Sequence, residues 1–135
     1  MLLDKMQFIR IGRIEDPRGN LTFIQKGHGL PFEPKRVFWT FNVPSGASRG
    51  GHAYRNQMEL IVAINGSFDV CITHADGTVE KHFLNRGDQG ILLPPLTWRS
   101  MENFSTNAMG LHLSDSSFDE GDYIRDFDQL KAESR

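Results

Sequence analysis

The sequence predicts an all-β fold, a single jelly-roll barrel followed by a short C-terminal helix. Three observations predict it. Short runs rich in Val, Ile, Phe and Trp recur along the 135 residues. Clusters of Gly, Pro, Asn and Asp separate them, which is the punctuation of strands and turns. A helical spacing of apolar residues is confined to the tail, and some ten strands with short turns and one terminal helix suit a jelly roll.

In chain order, strands are expected over 6–12 (MQFIRIG), 20–25 (NLTFIQ), 35–42 (KRVFWTFN), 50–54 and 58–65 (MELIVAIN). They continue over 67–74 (SFDVCITH), 78–84 (TVEKHFL), 89–93 (QGILL), 97–103 and 107–113 (NAMGLHL). Asp16-Pro17-Arg18-Gly19 separates the first two. Asn65-Gly66, Ala75-Asp76-Gly77 and Asn85-Arg86-Gly87-Asp88 each read as hairpin turns, Asn-Gly being the strongest short signal of the kind. On 67–74, Phe68, Val70 and Ile72 share one face and Ser67, Asp69, Cys71 and Thr73 the other, so both faces are expected to be partly buried. In the tail, Ile124, Phe127 and Leu130 have helical spacing, with the acidic stretch Asp119 to Asp122 placed to favour a helix N-terminus.

One domain, 1–135, accommodates this length, which is enough to bury a core. With 39% hydrophobic and 24% charged residues the composition is that of a globular protein. A formal charge of −2 gives no general pull toward nucleic acid or membrane, so an anion site must be local. The single cysteine, Cys71, cannot form an intrachain disulfide and reads as a buried thiol in a reducing compartment. The N-terminal MLLDKMQFIRIG carries charges and has no long apolar stretch, so neither a signal peptide nor a membrane span is expected, and the cytoplasm follows as the location.

The chemistry concentrates in RGGHAYRNQME, residues 49–59, where His52, Tyr54 and Glu59 look like a metal-binding strand with one ligand replaced. A His on a strand is by residue type more often interior or surface than catalytic. The frame is more telling: Gly46, His52, Tyr54, Glu59 and Gly66 are followed by Gly87, Pro94-Pro95, Trp98-Arg99 and Asn103. This arrangement, over 46–66 and 87–103, resembles the two motifs of the cupin superfamily, whose metal-binding members supply two histidines and a glutamate from the first motif and a histidine from the second. Tyr54 and Arg99 stand at two of those positions. Arg99 is a permanent cation and repels a divalent ion, while a phenol is a poor ligand beside an imidazole. No metal and no cofactor are expected.

KRVFWTFNVPSGASRGGHAY, INGSFDV, PPLTWRSMENFS and DEGDYIRDFDQ together resemble the sugar-nucleotide 3,4-ketoisomerases of that superfamily, from about Arg18 to Phe127. The resemblance implies metal-independent conversion of dTDP-4-keto-6-deoxyglucose, the ketone moving from C4 to C3, in deoxysugar and polysaccharide biosynthesis. It also implies a homodimer with exchanged N-terminal strands. The family commonly has His-x-His where this chain has His52-Ala53-Tyr54; a tyrosine still hydrogen-bonds an enolate oxygen or relays a proton.

Such a reaction needs a base, a donor to the developing oxyanion and an anchor for the diphosphate. His52 fits the first, with an ordinary pKa near ~6.5. Tyr54 and Arg99 fit the second, and Arg49 and Arg18 fit the third as forks for phosphate oxygens, Arg18 having the alternative of a plain turn residue after Pro17. Glu59 either orients His52 or is an exposed strand residue. Trp39, sharing a face with Phe41, offers a ring for thymine or belongs to the core or dimer interface; Trp98 reads as a lid at the barrel mouth, with core packing as the alternative. His28, His74 and His82 read as solvated, and His112 is open between the barrel interior and solvent. A dTDP-sugar 3,5-epimerase and a non-catalytic sugar-nucleotide-binding cupin are the alternative readings.

Overall fold

Residues 5–134 are described by the computed structural model, in which the alternation of apolar side chains has become strands. In chain order these are β1 (Gln7–Arg10), β2 (Arg13–Ile14), β3 (Leu21–Thr22), β4 (Arg36–Phe41), β5 (Arg49–Tyr54) and β6 (Glu59–Asn65). After them come β7 (Phe68–Thr73), β8 (Val79–Leu84), β9 (Gln89–Leu93), β10 (Trp98–Glu102), β11 (Met109–Ser114), β12 (Tyr123–Ile124) and helix α1 (Phe127–Glu133). Every expected strand contains or overlaps an observed one; β2 and β12, two residues each, carry too little pattern to be read.

Two five-stranded antiparallel sheets, β1-β9-β6-β11-β4 and β12-β5-β10-β7-β8, pack face to face, and β2 and β3 form a separate ribbon. The interior holds Ile61, Ala63, Ile91 and Leu93 from the first sheet against Phe68, Val70, Ile72 and Met101 from the second. On the outer face of the first sheet, Leu60, Val62, Leu92 and Leu113 are covered by Ile11, Leu30 and Phe32 from the N-terminal third. Burial on both faces explains why β6 reads as a nearly continuous apolar run.

Only one of the three expected hairpin turns joins paired strands. Asp76-Gly77 links β7 to β8, which pair residue for residue from Phe68↔Leu84 to Thr73↔Val79. Asn65-Gly66 and the turn at 85–88 instead carry the chain from one sheet to the other, since β6 pairs with β9 and β11 while β7 pairs with β8 and β10. The local chemistry is the same: Gly66 has φ 64°, and a Cβ there would sit 2.9 Å from Ala108 Cα. What differs is which partners the flanking apolar faces find.

The tail also departs from its spacing. Asp119 caps a 3-10 turn, Glu120–Asp122, and Ile124 joins β12, where it pairs with Ala53 and is fully buried. The α-helix starts only at Phe127, because Asp126 is extended and its carboxylate accepts from Asp128 N at 2.9 Å. Leu130 and Phe127 then pack with Ala53, Ile124 and Trp98. Trp98 is therefore part of the helix-docking surface, its ring edge-on to Phe127 at 5.4 Å, and not a lid over the barrel mouth. No helix among the described residues is long and apolar enough to cross a membrane.

Candidate active site

The Gly-Gly pair before His52 sets its direction. His52 lies opposite Arg99, but the next residue of β10, Ser100, lies opposite Gly50, so Gly51 is an extra residue on β5. Gly50 and Gly51 have φ 92° and 75°, and a Cβ on Gly50 would sit 3.0 Å from Ser100 Cα. Such a bulge suits only glycine and re-aims the side chain beside it. It turns His52 into a cavity of about 440 Å³ at one end of the barrel.

His52 stands against two tyrosines, with ring centroids 4.9 Å from Tyr54 and 5.1 Å from Tyr123. Its Nε2 is buried and has no hydrogen-bond partner. Burial, and then the positive charge of Arg99, push its pKa down to about 4, so the ring is a neutral base at physiological pH. Tyr54 is buried and turns its hydroxyl to that of Tyr123 at 3.3 Å. Burial, reinforced by the negative charge of Glu59, raises its pKa, so Tyr54 stays a phenol.

Arg99 is fully buried and lies behind the cavity wall. Its Nη1 donates to Glu59 Oε1 at 2.6 Å and its Nε to the Thr97 carbonyl at 3.0 Å, and the guanidinium stands 4.9 Å from the centre of the Tyr54 ring. Burial favours the neutral acid at Glu59, but Arg99 and the neighbouring His112 outweigh it and hold the carboxyl down at about 2. Glu59 does line the cavity, yet its hydrogen bond goes to Arg99 and not to His52. It is buried, and so is not an exposed strand residue.

Arg49 lines the cavity, as expected, and Trp39 reaches it although its ring is largely exposed. Arg18 does not: it sits at the turn of the β2–β3 ribbon, its side chain 90% exposed and paired with Asp16. The structure adds Thr40, His112, Tyr123 and Arg125 to the cavity wall. Arg125 lies over the Tyr123 ring at 4.3 Å and adds a second cation to the cavity lining beside that of Arg49. Tyr123 and Arg125 were within reach of the sequence through DYIRDFD. His112 was within reach through alternation, since Gly110 and Ser114 share its inward face. Of the other histidines, His74 and His82 both bond to Glu80, outside this cavity.

The donor set does not fit a divalent ion. The Glu59 carboxylate is taken by a permanent cation, and the Tyr54 hydroxyl is turned to Tyr123. Among the described residues no group of three or more His, Cys, Asp or Glu is placed to hold a metal.

The family described as FdtA: WxcM-like, C-terminal, matches residues 4–135. The chain belongs to the FdtA family. This FdtA-family chain is 32% identical over 124 residues to the TDP-4-oxo-6-deoxy-alpha-D-glucose-3,4-oxoisomerase of Aneurinibacillus thermoaerophilus, covering 91% of this chain and 88% of that one. It superposes with TM-score 0.92 and 30% identity on QdtA, a sugar 3,4-ketoisomerase from Thermoanaerobacterium thermosaccharolyticum solved with TDP, over 98% of this chain and 96% of that one. A variant of QdtA has been solved with TDP-4-keto-6-deoxyglucose. The TDP-quinovose 3,4-ketoisomerase WlaRB from Campylobacter jejuni matches with TM-score 0.88 and 32% identity over 96% of this chain and 99% of that one. The FdtA-family fold seen here is that of a 3,4-ketoisomerase, an isomerase of keto sugars, and these relatives favour that activity over 3,5-epimerisation or binding alone.

Proposed function

We propose that the chain moves the ketone of a TDP-linked 4-keto-6-deoxyhexose from C4 to C3 through an enediolate, with its own side chains as the only catalysts. The observation that carries this reading is His52: a neutral imidazole whose buried Nε2 has no partner, held by a glycine bulge at a cavity whose wall includes two arginines. The C3 hydrogen is acidic because it lies α to the C4 ketone. His52 removes it, and a proton returned to C4 completes the shift, each transfer of this kind contributing roughly 10²–10⁴-fold.

Tyr54 and Tyr123, both on the cavity wall, act as a hydroxyl pair at the developing oxyanion, Tyr54 donating to Tyr123. Arg99 acts through the residues it holds, keeping Glu59 ionised and packing on Tyr54, and not as a direct donor to substrate. Arg49 and Arg125 neutralise the diphosphate.

A homodimer completes the reading. The outer face of the first sheet leaves Val37, Trp39, Phe41 and Ile64 largely exposed, and the β2–β3 ribbon exposes Ile14 and Leu21. An apolar face of this kind marks an interface. In the single chain β1 pairs with its own β9, so the exchange proposed here is of the ribbon, which would bring Arg18 to the partner's cavity and shelter Trp39.

Incubation with TDP-4-keto-6-deoxyglucose, followed by NMR, tests the function. Loss of the C3 hydrogen with a new 3-keto product is expected. Exchange at both C3 and C5 with an unmoved ketone contradicts the reading, as does binding without turnover.

A further inference from the structure

The proposed mechanism leaves one step unassigned. Shifting a ketone from C4 to C3 also transfers a proton from O3 to O4, and His52, working on carbon, does not account for it. On the wall of the same cavity lies a second imidazole that no role has absorbed.

His112 is held on three sides. Its ring stacks on Phe38, with centroids 4.5 Å apart and planes 5° from parallel. Nε2 lies 3.2 Å from Thr40 Oγ1. Nδ1 lies 3.5 Å from Glu59 Oε2, within ion-pair range though short of a formed hydrogen bond, and has no other partner. Glu59 is in turn fixed by Arg99 at 2.6 Å. A proton on Nδ1 faces the carboxylate, which leaves Nε2 to accept from the Thr40 hydroxyl, and Thr40 itself faces the cavity. An inert core position gains nothing from a hydroxyl, an imidazole and a carboxylate in sequence, and burying them costs desolvation that an apolar trio avoids.

We infer that Thr40 and His112, backed by Glu59, form the relay that carries the proton between the two sugar oxygens. The inference rests on the ketoisomerase reading. In the forward direction the O3 proton passes to Thr40 Oγ1 as the Thr40 proton passes to His112 Nε2. The imidazolium so formed faces the Glu59 carboxylate. The two transfers then reverse toward O4, so that one proton leaves O3, one arrives at O4, and no co-reactant is consumed. Thr40 touches the substrate; His112 is the proton store; Glu59 is a positioning residue.

The test uses the full-length enzyme with TDP-4-keto-6-deoxyglucose in D2O, measuring hydrogen exchange at C3 and formation of the 3-keto product separately. For Thr40→Val and for His112→Leu, kcat for product should fall roughly 100-fold, in the range of one lost acid–base group. TDP affinity should be unchanged, and C3 exchange should persist, so that exchange outruns product. Thr40→Ser keeps the hydroxyl and should restore turnover, which a merely structural role for Thr40 does not require. Undiminished kcat in a folded Thr40→Val variant overturns the relay while leaving the function intact. Wild-type enzyme that fails to convert the substrate contradicts the ketoisomerase reading itself.

Discussion

His52, the base of the proposed mechanism, is kept uncharged by its surroundings. Its depressed pKa has a thermodynamic consequence that can be signed. The unfolded chain takes up a proton at His52 near its ordinary 6.5, whereas the folded chain resists it until about 4. Stability is therefore lost as pH falls through that window. Glu59 works in the same direction but lower: its carboxyl sits at about 2 when folded against an ordinary 4.5, so its contribution is complete above 4.5 and disappears as pH falls through 2. The melting temperature of wild type should fall between pH 6.5 and 4, and His52→Asn should flatten that part of the profile. An unchanged slope in the variant would remove His52 as its cause.

At the scale of an element, the bulge on β5 is what turns His52 toward the cavity, where the proposed mechanism needs a base. Gly50→Ala forces an L side chain into φ 92° and toward Ser100 Cα. The left-handed backbone alone costs roughly 1–2 kcal/mol. Relief of the clash should shift β5 against β10 and swing His52 off target, so turnover should fall well beyond what the stability loss explains; a variant destabilised but fully active contradicts the claim. Much of this element was legible in the sequence. Gly-Gly before His52, the alternation of Phe68, Val70 and Ile72, and Arg49 three residues before His52 all carry local signals. What was not legible depends on register between distant strands. His112 pairs across β11 with Phe38 on one side and Ile61 on the other, and those pairings, not anything near residue 112, aim it at Glu59. The same holds for Asn65-Gly66, whose chemistry serves equally to close a hairpin or to cross between sheets. The late start of α1 had a local signal in Asp126, outweighed by the helical spacing around it.

For the molecule as a whole, the sheet that carries part of the cavity wall on its inner face presents aromatic residues on its outer face. Trp39 and Phe41 alternate with Phe38 and Thr40 on β4, so the strand lining the site is also the strand at the proposed dimer interface. Trp39→Glu places a charge in that face and should convert a sedimenting dimer to a monomer, with activity falling if the partner's ribbon completes the site. A wild type that sediments as a monomer, or a variant that remains dimeric, contradicts the proposed interface. The charge pattern of the site is likewise global: Arg99 from β10 secures Glu59 from β6, joining the two sheets at the cavity wall. The proposed mechanism uses no metal, so turnover should survive exhaustive dialysis against a chelator.

The central claim is that His52 alone opens the reaction at C3. It is tested most directly with chelator-treated enzyme and TDP-4-keto-6-deoxyglucose deuterated at C3, wild type and His52→Asn side by side, with TDP binding measured on both. The account predicts loss of deuterium and appearance of 3-keto product with wild type, and neither with a variant that still binds TDP. Wild-type rates of deuterium loss in His52→Asn would contradict it.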